Sequence, residues 1–105
     1  MSGAMVQPEL EASLIARVRA GESEAFYDLV RPHERGIYMA ALSIVRNEAD
    51  AEEVVQEAIL KAFKAIGRFR EESKFSTWIV QIVMNEARQT FYRLTVSDQV
   101  HSVFY

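Results

Sequence analysis

Cysteine is absent from the 105 residues, which excludes disulfide scaffolds, thiolate metal sites and cysteine nucleophiles and fits a reducing compartment. Proline occurs only twice and glycine four times, too little for a low-complexity or disordered tail. The two histidines, His33 and His101, stand far apart, so no histidine-rich metal centre is expected. No apolar run approaches the roughly 18 to 20 residues of a membrane span, and no charged-then-apolar leader opens the chain. The expectation is a soluble, cytoplasmic protein without membrane insertion. A glycine-rich phosphate loop, a nucleophile elbow and a His-Glu-x-x-His helix are missing too, so neither an enzyme nor a cofactor is expected.

What is present suits one compact domain. Half the residues are apolar and 10% are aromatic, enough for a core in a chain of 12.0 kDa. The net charge of −3 argues mildly against nucleic acid, but the charges are unevenly placed. Residues 1–66 hold seven Lys/Arg against eleven Asp/Glu, whereas residues 67–105 hold five against four. Between Arg46 and Glu57 a single arginine faces Glu48, Asp50, Glu52, Glu53 and Glu57. One acidic patch and one mildly basic end suit two different partners.

Periodicity predicts an all-α fold, a compact bundle of about four helices. Residues 1–8, opening Met-Ser-Gly-Ala-Met5, read as a tag remnant and flexible N-terminus. A first helix is expected over about 9–20, stopped by Gly21. A second spans about 23–46, capped by Ser23 and bent at Pro32 and Gly36. Asn47 caps a third over about 48–66, ended by Gly67, and a fourth runs from Lys74 to about Arg93. The domain is thus placed at 9–94, and 95–105 is left as a C-terminal tail of unknown role.

On the third helix, Ala51, Val55, Ala58, Ile59, Ala62 and Ile66 share an arc that reads as core. The opposite arc collects Asp50, Glu53, Val54, Glu57, Leu60, Lys61 and Lys64. It is either a solvated face with i,i+4 pairs such as Glu57–Lys61 or a docking surface for a basic helix. Glu53 and Glu57 lack the Glu-x-x-His partner of a helical di-iron site. On the fourth helix, Phe75, Ile79, Ile82 and Val83 read as buried with Trp78 at their edge. Lys74, Thr77, Gln81, Asn85, Arg88 and Tyr92 lie on another side, with side-chain types that contact phosphates and unpaired bases. Glu86 falls in the middle of the apolar arc, where nothing in the sequence explains a carboxylate.

Four blocks then carry a resemblance covering about residues 10–93. They are Arg17-Val-Arg-Ala-Gly-Glu-Ser-Glu-Ala-Phe26, Asp50-Ala-Glu-Glu-Val-Val-Gln-Glu-Ala58 with Lys61-Ala-Phe63, Phe69-Arg-Glu-Glu-Ser-Lys-Phe-Ser-Thr-Trp-Ile79, and Asn85-Glu-Ala-Arg88. In order and spacing they resemble region 2 of sigma-70 family factors of the extracytoplasmic-function (ECF) group. The resemblance implies a transcription initiation domain that binds the β′ clamp helices of RNA polymerase core and recognises and melts the promoter −10 element.

Carried onto this chain, the resemblance puts polymerase binding on Asp50, Glu53, Val54, Gln56, Glu57, Leu60 and Lys61. It puts DNA binding on Phe69, Arg70, Lys74, Trp78, Gln81, Asn85 and Arg88. The first three of these would border a pocket for an extruded base of the non-template strand, and the others would line its path. Many members are held by an anti-sigma factor covering the same faces, which adds such a factor as a candidate partner. Position 81 is Gln and only Arg88 and Arg93 follow it on this helix, fewer cations than the family usually carries there. The alternative is therefore a sigma-like interaction module that binds polymerase or a regulator without reading promoters. The match ends before the helix-turn-helix that such factors use for the −35 element, so this chain alone is not expected to select a complete promoter.

Overall fold

The computed structural model describes the backbone of residues 8–104 and the side chains of residues 10–96; the tag remnant expected at 1–8 falls almost wholly outside them. The elements are α1 (Pro8–Arg19), α2 (Glu24–Val30), α3 (Glu34–Val45), α4 (Glu48–Ala65) and α5 (Phe75–Phe104). Single 3₁₀ turns at Arg31–His33 and Ile66–Arg68 follow α2 and α4, and no strand occurs among the described residues. The fold is all-α, as the periodicity predicts.

The helix ends follow from local chemistry. Gly21 adopts φ +103°, which only glycine takes without strain, and the chain closes α1 with Glu22 N–H on the Arg17 carbonyl and Gly21 N–H on the Val18 carbonyl, both at 3.0 Å. Asn47 is extended and its Oδ1 accepts the Asp50 N–H at 2.9 Å, capping α4 with Glu48 and Asp50 in the first turn. Ser23, by contrast, is helical and makes no side-chain cap. The first N–H groups of α2 bond backbone instead, Ala25 to Glu22 and Phe26 to Ser23.

The long second helix expected over 23–46 is broken rather than bent. Pro32 has no N–H to give and its ring crowds the preceding turn, so α2 ends at Val30 and α3 starts at Glu34. Arg46 closes α3 in the left-handed region, at φ 58° and ψ 27°, with its N–H on the Leu42 carbonyl. A β-carbon is strained there. Arg46→Gly is expected to stabilise the domain by about 0.5–1 kcal/mol, read as a raised urea midpoint at unchanged m-value.

α5 packs across both α3 and α4, while α1 lies on α2 and touches the turn after α4. Its core stripe, Phe75, Ile79, Val83 and Ala87, repeats every four residues and is completely buried. The same buried cluster takes in Ile37 and Ala41 of α3 and Ala51, Val54, Ala58 and Ala62 of α4, where alanine is the commonest side chain. Both α3 and α5 pack on α4, so its buried arc is turned towards Val54, and Val55 and Ile59 are only partly covered. α5 also runs on through 95–104, beyond the Arg93 end expected for it, because no proline or glycine follows Gly67 to stop it.

Candidate functional site

Two surfaces and the loop between them hold the residues singled out above. On α4, Glu53, Gln56 and Glu57 are exposed, Leu60 is 47% exposed and Asp50 is half-buried. Neither Glu53 nor Glu57 makes an ion pair among the described residues, so their charge is presented to solvent. The carboxylates at the start of α4 act on their surroundings. Partial burial, then the charges of Glu48 and Glu52, push the Tyr38 phenol above its ordinary value.

Val54 departs from expectation. It is 1% exposed and belongs to the core, because α5 covers the side of α4 on which it lies. It cannot supply apolar contact to a partner. It instead floors a polar cleft of about 270 Å³ between α4 and α5, walled by Glu53, Glu57, Lys61, Glu86 and Arg93. There Lys61 Nζ donates to Glu86 Oε1 at 2.5 Å, rather than pairing with Glu57 along its own helix. The carboxylate on the apolar arc of α5 thus gains its explanation: Glu86 is 8% exposed and held by a cation from the neighbouring helix.

On its other flank α4 meets α2 in an apolar groove of about 570 Å³. Gln56, Ile59, Leu60 and Phe63 form one wall, and Ser23, Phe26 and Tyr27 the other. Phe63 meets the Phe26 ring edge-on at 5.4 Å between centroids. Leu60 therefore has apolar company that the sequence reading omitted, namely Phe63 and Tyr27. The signal was available for Phe63, one turn beyond Ile59 and Leu60.

The loop from Phe69 to Lys74 sits over an aromatic cluster. Phe69 packs against Phe75 at 5.9 Å and Trp78 at 5.1 Å, Phe75 against Trp78 at 5.7 Å, and the His33 ring lies 5.6 Å from Phe75. Phe69 is a second correction. At 4% exposure its ring is a floor beneath Trp78, not an open platform for a base. Trp78 itself is half-buried, and Arg70 and Lys74 are exposed beside it.

From Lys74 the stripe climbs α5 through Trp78, Gln81, Asn85 and Arg88 at alternating steps of four and three, one continuous face whose polar members are all exposed. Arg88 Nη1 reaches Asn85 Oδ1 at 3.3 Å. A residue to which the sequence assigned no role also touches the loop: Arg19 of α1 bonds Glu71 and the Phe69 carbonyl. Among the described residues no group of three His, Cys, Asp or Glu side chains could hold a metal, and no helix is long and apolar enough to cross a membrane.

The sequence model of the family described as Sigma-70 region 2 matches residues 29–95. RNA polymerase sigma-H factor of Pseudomonas aeruginosa is 36% identical over 84 residues, covering 80% of this chain and 44% of that protein. ECF RNA polymerase sigma factor SigW of Bacillus subtilis is 35% identical over 68% of this chain and 38% of its own length. ECF RNA polymerase sigma-E factor of Escherichia coli is 36% identical over 71% and 39%. The chain thus spans less than half the length of these relatives. A solved NMR structure, of an engineered region 2 of sigmaE in complex with GTAAAA, superposes with a TM-score of 0.74 at 30% identity, covering 94% of this chain and 97% of that one.

Proposed function

The chain belongs to the sigma-70 region 2 family, in its ECF group, as a non-enzymatic domain of a transcription initiation factor, and from that membership we propose how it works. The outward side of α4 docks on the β′ clamp helices of RNA polymerase core. The 69–74 loop and the Lys74–Arg88 face of α5 capture the non-template strand of the −10 element. The observation that carries this reading is the polar stripe of α5, which rises from an aromatic cluster and stays exposed along its length.

The physics is capture rather than force. Extruding a base from a duplex costs a few kcal/mol, and a protein offsets this by binding the unstacked product better than the duplex. Stacking on one aromatic supplies about 1–3 kcal/mol per base, and Trp78 is half-buried where Phe69 and Phe75 are buried. Arg70, Lys74 and Arg88 are three exposed cations along the path, so log Kd for a single strand should vary with log salt at a slope of about 2 in magnitude. That modest grip suits a domain whose main affinity is for the polymerase. There Glu53 and Glu57 steer a basic helix, while Leu60 and the groove beside it supply apolar contact.

Two measurements test it. A Glu53→Lys, Glu57→Lys double variant should stay helical by circular dichroism and lose roughly tenfold in affinity for a β′ clamp-helix fragment, about 1.4 kcal/mol. Unchanged affinity would remove α4 from the docking assignment. With single-stranded dGTAAAA as probe, suggested by the solved neighbour, Asn85→Ala with Arg88→Ala should weaken binding severalfold. A second reading, an interaction module that binds polymerase or an anti-sigma factor without promoter reading, is favoured by the burial of Phe69, which withdraws the loop's own aromatic from stacking. Polymerase binding without any preference among oligonucleotides would select it.

A further inference from the structure

The 69–74 loop carries Arg70 and Lys74, two cations of the strand path, yet the backbone bonds it makes are local. Phe69 N–H bonds the Ile66 carbonyl at 3.1 Å and Ser73 N–H the Arg70 carbonyl at 3.0 Å. Neither fixes the loop against another helix. The polar tie to the rest of the fold comes from the last residue of α1, where Arg19 Nη1 donates to Glu71 Oε2 at 2.8 Å and Nη2 donates to the Phe69 carbonyl. One planar guanidinium spans a side chain and a main-chain oxygen some fifty residues away in sequence.

We infer that Arg19 is the positioning residue of the base-reading loop: its guanidinium fixes the Phe69 carbonyl and neutralises Glu71, thereby setting Trp78 and Arg70 for single-stranded nucleic acid. The inference rests on the strand-capture reading above. Two consequences of the geometry support it. The Phe69 ring lies 5.1 Å from Trp78, so the carbonyl that Arg19 holds belongs to the residue under the indole. Glu71 is flanked by Arg70 and lies three residues from Lys74, where an unpaired carboxylate would repel a phosphate drawn in by those cations. A lysine could neutralise Glu71 but lacks the fork that reaches the carbonyl as well.

Trp78 is the chain's only tryptophan, so its fluorescence reports this loop directly. The experiment compares the full chain with R19A, R19K and E71Q. It measures acrylamide quenching of Trp78, melting temperature, binding to core polymerase, and the ratio of Kd values for single-stranded dGTAAAA and hexamers altered at one base. R19A is expected to lose selectivity about fivefold and to raise Trp78 quenching, while melting stays within a few degrees and polymerase binding is unchanged. R19K should recover overall affinity but not selectivity, whereas E71Q, which leaves the Phe69 contact in place, should retain selectivity. R19A with wild-type selectivity and quenching would overturn the proposal. So would a loss of selectivity that merely follows a fall in melting temperature and polymerase binding, since Arg19 would then be only structural. A wild-type chain that binds every hexamer alike would overturn the strand-capture reading itself, and this proposal with it.

Discussion

Phe75→Ala is expected to lower the free energy of unfolding by about 3–5 kcal/mol, measured as a fall in the urea midpoint by circular dichroism. Phe75 is 0% exposed and opens α5, where it touches the rings of Phe69, Trp78 and His33. Three parts of the fold meet on that one ring: the 69–74 loop, the first turns of α5 and the break between α2 and α3. Truncation leaves a cavity that none of them can fill without moving the others. Domains of this size hold about 5–15 kcal/mol in all, so the variant should sit near the edge of folding. A loss under about 1 kcal/mol would show that the aromatic cluster is loosely packed and that Trp78 has no firm backing.

The consequence for function is specific. A base stacks well only on a ring that does not yield, and the half-buried Trp78, itself part of the α5 stripe, packs against Phe69 and Phe75. Phe69 matters to the proposed pocket through rigidity, not through contact. The same logic separates the surfaces: α4 presents charge that steers, α5 presents an exposed polar stripe that grips, and both are backed by the same alanine-rich core.

What could be read from the sequence was whatever local chemistry or a single helical period decides. Gly21 as a stop, Asn47 as a cap and the Lys74–Arg88 stripe needed only spacing and residue type. Val54 was misplaced because the periodicity of one helix cannot say which of its sides its neighbours cover, and α5 covers the side that carries Val54. Phe69 lies in a segment without a period, so its burial depends on α5 folding over it. The break at Pro32 was visible as a proline, but whether a helix bends or ends there depends on what the two pieces pack against. The β-branched and aromatic residues after Leu94 hid a helix that simply has nothing to end it. Contacts such as Arg19 with Glu71 and Lys61 with Glu86, 52 and 25 residues apart, have no sequence signature at all.

Removing the lysine from that last pair should have the next largest effect. Lys61→Met is expected to destabilise the domain by about 2 kcal/mol by urea unfolding, less than the 3–5 kcal/mol of a wholly buried pair because the lysine side chain is half exposed. The cost arises from Glu86, which stays behind as a nearly buried carboxylate on the apolar side of α5 without its cation. Replacing both residues, Lys61→Met with Glu86→Leu, removes the uncompensated charge and fills its place with apolar volume. The double variant should therefore return to within about 1 kcal/mol of wild type or exceed it. Additive losses in the double-mutant cycle would show that the pair is not coupled and that Glu86 is solvated in some other way. The pair also joins the helix proposed to meet the polymerase to the helix proposed to hold the strand. Lys61→Met should thus weaken both binding activities together as α4 and α5 loosen, whereas charge reversal at Glu53 and Glu57 should weaken docking alone, and that contrast distinguishes a shared seam from a shared surface.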